Sequence, residues 1–129
     1  MSERDLRRYS SGSTFERDIG YCRAVADGQL VHVSGTTGYD YDTMTIATDA
    51  RAQAEQCIVN IKNALAQFDC ALTDVLRVRY LFVDRADFPA CWPVFKDAFG
   101  DAPPAATFMV VGLYDEAMRL EVEVTARQA

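Results

Sequence analysis

One run of nine residues, VLRVRYLFV from Val75 to Val83, restricts the fold more than any other part of the chain. Read as a strand, it sets Leu76, Val78, Tyr80 and Phe82 on one face, with Arg77 and Arg79 on the other beside Val75, Leu81 and Val83. Both faces are mostly apolar, so the run belongs inside a sheet that is covered on both sides. The cover on one side is legible. Ala50, Ala54, Cys57, Ile58, Ile61, Leu65 and Phe68 recur every three or four residues, the stripe of an amphipathic helix over Asp49–Phe68 with Thr48 or Asp49 as its N-cap. A second helix spans Phe88–Phe99, either starting late or bending at Pro93 and stopping at Gly100.

The remaining strands are short. Tyr21–Val25 and Leu30–Ser34 read as a hairpin turned at Asp27-Gly28. GTTGYDYDTMTIA, residues 35–47, reads as a loop or a short irregular hairpin arm. Ala106–Val111 and Arg119–Ala126 finish the chain. The order strand, strand, helix, strand, helix, strand, strand describes an α+β layer, a mixed sheet with two helices on one face. Two helices leave the other face bare, so the pattern predicts an oligomer that covers it.

A chain of 129 residues fits one domain, here 19–129, preceded by a polar segment 1–18 that lacks periodicity and is broken by SSGS at Ser10–Ser13. Nucleic-acid affinity rests largely on basic residues, and this chain has a net charge of -6. Its one basic run, RDLRR at Arg4–Arg8, is terminal and mixed with acid, so it reads as a solvated segment and no nucleic-acid partner is expected. The four cysteines, Cys22, Cys57, Cys70 and Cys91, stand in no ligand spacing and far from the single histidine, His32. Neither a metal site nor a disulfide framework is expected, and isolated cysteines fit a reducing cytoplasm. No apolar run has the length of a signal peptide or a membrane span, so no membrane partner is expected either.

Several residues carry chemistry beside a plainer reading. Glu121 and Glu123 lie two apart on the last strand and share a face, where they either exchange protons with a substrate or water, or pair with Arg77, Arg79 or Arg119 or meet solvent. Ser34 and Gly35 end a strand in VSGTTG, which is either an ordinary turn or a turn whose backbone N–H groups hold an oxygen. His32 reads as a structural histidine, Cys91 and Trp92 as core or as cleft lining, and Tyr21 as an edge aromatic.

Three stretches in order, GYCRAVADGQLVHVSGTTG, QAEQCIVNIKNALAQFDCALTDVLRVRYLFVDRADF and PPAATFMVVGLYDEAMRLEVEVTA, resemble the YjgF/RidA (reactive intermediate deaminase) family over about 19–126. The resemblance implies a chorismate-mutase-like fold and a homotrimer whose sheets pack as an inner barrel. Small-molecule sites would lie in clefts between subunits. It implies hydrolysis of reactive enamines and imines to a keto acid and ammonia, with no cofactor or metal. The family's water-positioning glutamate matches Glu121, and Tyr21, Ser34 and Gly35 match pocket positions. The arginine that grips the substrate carboxylate in the deaminating branch matches Ala106, within Pro104-Ala105-Ala106-Thr107, and a neighbouring cysteine matches Phe108. An asparagine of the second helix aligns near Trp92. The resemblance therefore implies that backbone N–H groups near Thr107 orient the substrate and that Trp92, Ala106 and Phe108 shape a more apolar cleft with a non-standard substrate. A metabolite-binding trimer without turnover is the alternative, and the acid charge speaks against a ribonuclease.

Overall fold

A computed structural model describes residues 5–129. The doubly apolar run forms β6 (Val75–Phe82), an interior strand between β8 (Leu120–Arg127) and β7 (Ala105–Val110). β7 runs parallel to β6, because the crossover helix α3 (Phe88–Phe99) separates them, and β8 runs antiparallel to β6. The sheet continues from β8 through β3 (Leu30–Thr36) and β2 (Ala24–Asp27) to β1 (Leu6–Tyr9). Helix α2 (Ala50–Ala66), capped by the Asp49 carboxylate on the Ala52 N–H at 3.0 Å, packs on one face together with α3. The α+β fold with both long helices on one face of a mixed sheet is the one read from the sequence.

The core lies between that face and the helices. Val31, Val78, Phe82, Leu120 and Val122 from the sheet meet Cys57, Ile61 and Leu65 of α2, all essentially without solvent contact. Each such large side chain contributes roughly 1.5–3 kcal/mol of burial. On α3, Phe95 and Cys91 turn inward, and Phe95 stacks on Tyr80 at 4.3 Å. Pro93 sits inside α3, so the helix starts early and contains the proline rather than beginning at it.

Four local expectations are corrected. First, Leu76 is half exposed and Val75 is buried, the reverse of strict alternation, because a register shift against β8 falls between Val75 and Arg77 and flips the pleat. Second, the first hairpin strand runs over Ala24–Asp27 and leaves Tyr21 outside it. Third, the N-terminal segment contains β1 and the short helix α1 (Thr14–Ile19), and the SSGS stretch is fixed by hydrogen bonds from Ser10 and Ser11 to Glu16. Of the basic run, Arg4 lies outside the described residues. Fourth, Trp92 leaves the core stripe and is 57 % exposed. The GTTGYDYDTMTIA segment is a small hairpin, β4 (Tyr39–Asp40) against β5 (Thr45–Ile46), seated on Phe15 and Met118.

The opposite sheet face presents His32, Arg77, Arg79, Leu81, Glu121 and Glu123, all exposed or half-buried. It is less apolar than the alternation predicts, since Val75 has left it. His32 is exposed there rather than enclosed as a structural histidine. No helix among the described residues is long and apolar enough to cross a membrane.

Candidate functional site

β8 carries Glu121 onto the open sheet face, where it lies over the irregular end of β3. The close approach depends on Gly35, because a Cβ at that position would land on the Glu121 carboxylate. The carboxyl group is half-buried and has no hydrogen-bond donor among the described residues. Burial raises its pKa, opposed by the nearby Arg23 guanidinium and reinforced by Glu123. A carboxyl that is partly dry, unclaimed and easily protonated suits proton exchange with water or a leaving nitrogen.

The ground beneath it is rigid. Arg23 is 1 % exposed. It donates to the Gly35 carbonyl at 2.7 Å and to the Thr36 hydroxyl at 3.2 Å, and pairs with the buried Glu16 at 3.3 Å. Its guanidinium lies 4.6 Å from the Tyr41 ring centroid and 5.6 Å from that of Tyr21. Helix α2 grips the following loop. Cys57 donates to the Thr36 carbonyl at 3.3 Å, and Asn60 donates to the carbonyls of Thr37 and Tyr39 at 3.1 and 2.8 Å. A Cβ on Gly38 would meet the Gln53 backbone at 2.6 Å, so this glycine lets the loop lie directly on the helix. Both glycines of SGTTG thus answer a need for space rather than for unusual backbone angles.

Ser34 lies in the same neighbourhood with its donors already engaged. Its N–H bonds the Arg23 carbonyl at 2.9 Å and its hydroxyl bonds the Cys22 carbonyl at 2.7 Å. What remains for a ligand is acceptor capacity on the hydroxyl oxygen. Tyr21, 38 % exposed, borders the Arg23 side.

The other predicted residues gather elsewhere. The register pairs Ala106 with Val78 and Phe108 with Tyr80, which puts both on the helix face of the sheet. Glu121 pairs with Leu81 on the open face. Trp92 on α3 joins Ala106 and Phe108 in a hollow of ≈ 280 Å³, and Phe108 stacks on Tyr80 at 5.0 Å. Thr107 falls on the open face, accepting a 2.6 Å hydrogen bond from Arg77. One chain therefore sets the residues around Glu121 and those around Ala106 on opposite sides of its sheet.

Four arginines on other elements, Arg23, Arg77, Arg79 and Arg119, are candidates to replace the charge absent at Ala106. Arg23 is enclosed with Glu16, Arg79 pairs with Glu123 at 3.0 Å, and Arg119 is held by both oxygens of Asp87 at 3.1 Å. Arg77 has only the Thr107 hydroxyl, yet it lies on the face away from Ala106. None of the four lines the hollow beside Ala106. Among the described residues no group of three or more His, Cys, Asp or Glu is placed to hold a metal ion.

The sequence reading missed Glu16, which lies in a polar, aperiodic segment that mimics surface, and the burial of Arg23, since a lone arginine beside a strand ordinarily turns to solvent. Gln53 also falls outside the apolar stripe of the helix, yet it is fully buried and bonds Ala47, Ala117 and Arg119 backbone groups at 2.7–3.0 Å.

Comparison with known proteins gives a consistent picture. The family described as Endoribonuclease L-PSP matches residues 13–128. An uncharacterized protein of Streptomyces coelicolor, SCO2049, is 32 % identical over 127 residues, covering 98 % of this chain and 95 % of its own. The 2-iminobutanoate/2-iminopropanoate deaminase of Dermatophagoides farinae is 30 % identical over 104 residues, covering 80 % of this chain and 81 % of its own. The crystal structure of Rv2704 from Mycobacterium tuberculosis, a member of the YjgF/YER057c/UK114 family, superposes with a TM-score of 0.86 at 34 % identity, covering 95 % of this chain and 99 % of its own.

Proposed function

The chain belongs to the YjgF/RidA family, described as Endoribonuclease L-PSP, and from that premise we propose that it hydrolyses an imine, enamine or related small metabolite in a cleft between subunits of a homotrimer. The observation that carries the proposal is Glu121, a half-buried carboxyl with a raised pKa and no internal donor, on a floor that any side chain at position 35 would disturb. In the proposed step Glu121 takes a proton from water as the oxygen attacks the imine carbon. The C=N bond becomes a C–N single bond. Glu121 then returns the proton to that nitrogen to give a carbinolamine, and relays the carbinolamine hydroxyl proton to the amine as the C–N bond breaks, which expels ammonia and leaves the carbonyl product. The half-sites on opposite sheet faces support a site completed by a neighbouring chain, with Trp92, Ala106 and Phe108 of one subunit closing over Tyr21, Ser34, Gly35 and Glu121 of the next.

We place the protein in the cytoplasm, where its four free cysteines stay reduced. No cofactor enters the proposed step. A ribonuclease is not proposed, because the chain is acidic and its single histidine has no second one to work with.

The test generates 2-aminoacrylate or iminopropionate in situ and follows keto-acid release. Acceleration by the wild type is expected. Its absence overturns the standard deaminase reading, and an unchanged rate in Glu121→Ala removes Glu121 from the chemistry. One observation favours a second reading, a trimer that binds a metabolite without turnover. Ala106 supplies no fork for a carboxylate, and a lost charge-assisted pair costs about 2–5 kcal/mol when buried. Thermal shifts by metabolites that yield no product over a broad imine panel would establish it.

A further inference from the structure

The hollow beside Ala106 is not without charge. Lys96 lines it, and no aspartate or glutamate does. Lys96 stands one helical turn after Trp92 on α3, and both residues line the hollow. The lysine has no carboxylate partner among the described residues, so none of their carboxylates claims its charge. The rest of the lining is apolar and largely aromatic, with Trp92, Phe99 and Phe108 around the small Ala106 and the rigid Pro104. Phe108 is itself fixed by stacking on Tyr80 at 5.0 Å and by an edge contact to Phe88 at 5.7 Å.

We propose that Lys96 holds the carboxylate of the substrate in this hollow, and that the substrate is an aromatic carboxylate whose ring lies against Trp92 and Phe108. The alanine at 106 leaves room that a guanidinium would fill, and Lys96, across the hollow on α3, supplies the charge. The inference rests on the hydrolase reading for its chemistry, while binding alone can test it. An ammonium is a point charge without a fork, so it anchors the carboxylate less directionally and leaves selection to the aromatic walls.

Trp92 is the only tryptophan, so its fluorescence reports occupancy of the hollow. The probes are 3-phenylpropanoate, its neutral amide and propanoate. The acid is expected to bind about tenfold or more tightly than either. Lys96→Met should abolish the preference for acid over amide, and Lys96→Arg should keep it. Equal affinities for acid and amide in the wild type, or a preference that survives Lys96→Met, overturns the inference. The imine assay separates the two ideas. Lys96-dependent binding without turnover of any imine sinks the hydrolase and leaves the anchor standing. Turnover with binding indifferent to Lys96 does the reverse.

Discussion

A glutamate in water titrates near 4.5, and burial moves Glu121 above that value. The sign follows from linkage. Between the unfolded and the raised folded pKa the native state holds more protons, so the stability this group contributes is complete below about 4.5 and is lost as pH rises through the folded value. Glu121→Gln should therefore raise the midpoint of thermal unfolding at pH 8 by roughly 2–4 °C, with the gap closing as pH falls to 4.5. The same substitution should lower the imine-hydrolysis rate about 10²-fold or more. Calorimetry across pH and keto-acid release measure the two halves, and a variant less stable at pH 8 would contradict the environment described for Glu121. Ala106→Arg makes the converse prediction. A fork placed beside Lys96 should raise kcat/KM for small imino acids about tenfold and lower it for aromatic ones, since the side chain takes up the hollow. Glu121 and Gly35 were legible because a resemblance located them. The partnership of Gly35 with the carboxylate was not, since no single-residue pattern reports a missing Cβ.

At the scale of elements, the long ones declared themselves. β6, α2 and α3 formed within one or two residues of their predicted limits, because each buries a stripe whose period the sequence displays. β1 and α1 did not, because their contribution is polar. Ser13 caps α1 through the Phe15 N–H at 3.1 Å, and α1 exists to deliver Glu16 to Arg23. The Val75–Leu76 inversion was equally hidden, since a bulge is a relation between two strands. The α1 anchor gives the element-scale prediction. Glu16→Ala leaves the Arg23 guanidinium enclosed without the carboxylate it bonds, which should cost about 3–5 kcal/mol. It should also free residues 5–19 for proteolysis, because Ser10 and Ser11 lose the same acceptor. Urea unfolding gives the first quantity and limited digestion the second, and a loss below about 1 kcal/mol would mean that the pair is not buried in solution.

For the whole molecule, the decisive fact is that the sheet separates the residues expected to cooperate. Ala106, Phe108 and Trp92 belong to the helix side and the exposed β7 edge, and Glu121 belongs to the open face. The sequence could not display this division, since it depends on the register of β7 and β8 across β6. A chain working alone would have to join the two through its own sheet. In a closed ring of three, each chain gives one half-site to each neighbour. Sedimentation should therefore give three times 14.4 kDa. Mixing makes the stronger test. Glu121→Gln inactivates the first half-site, and Ala106→Glu inactivates the second by repelling a carboxylate. After denaturation and joint refolding at equal amounts, a junction works only where an intact Glu121 faces an intact Ala106. Random assembly makes that one junction in four, so the mixture should recover about a quarter of wild-type activity from two inactive parents. A site contained within one chain recovers nothing, because every chain then carries a defect in its own site.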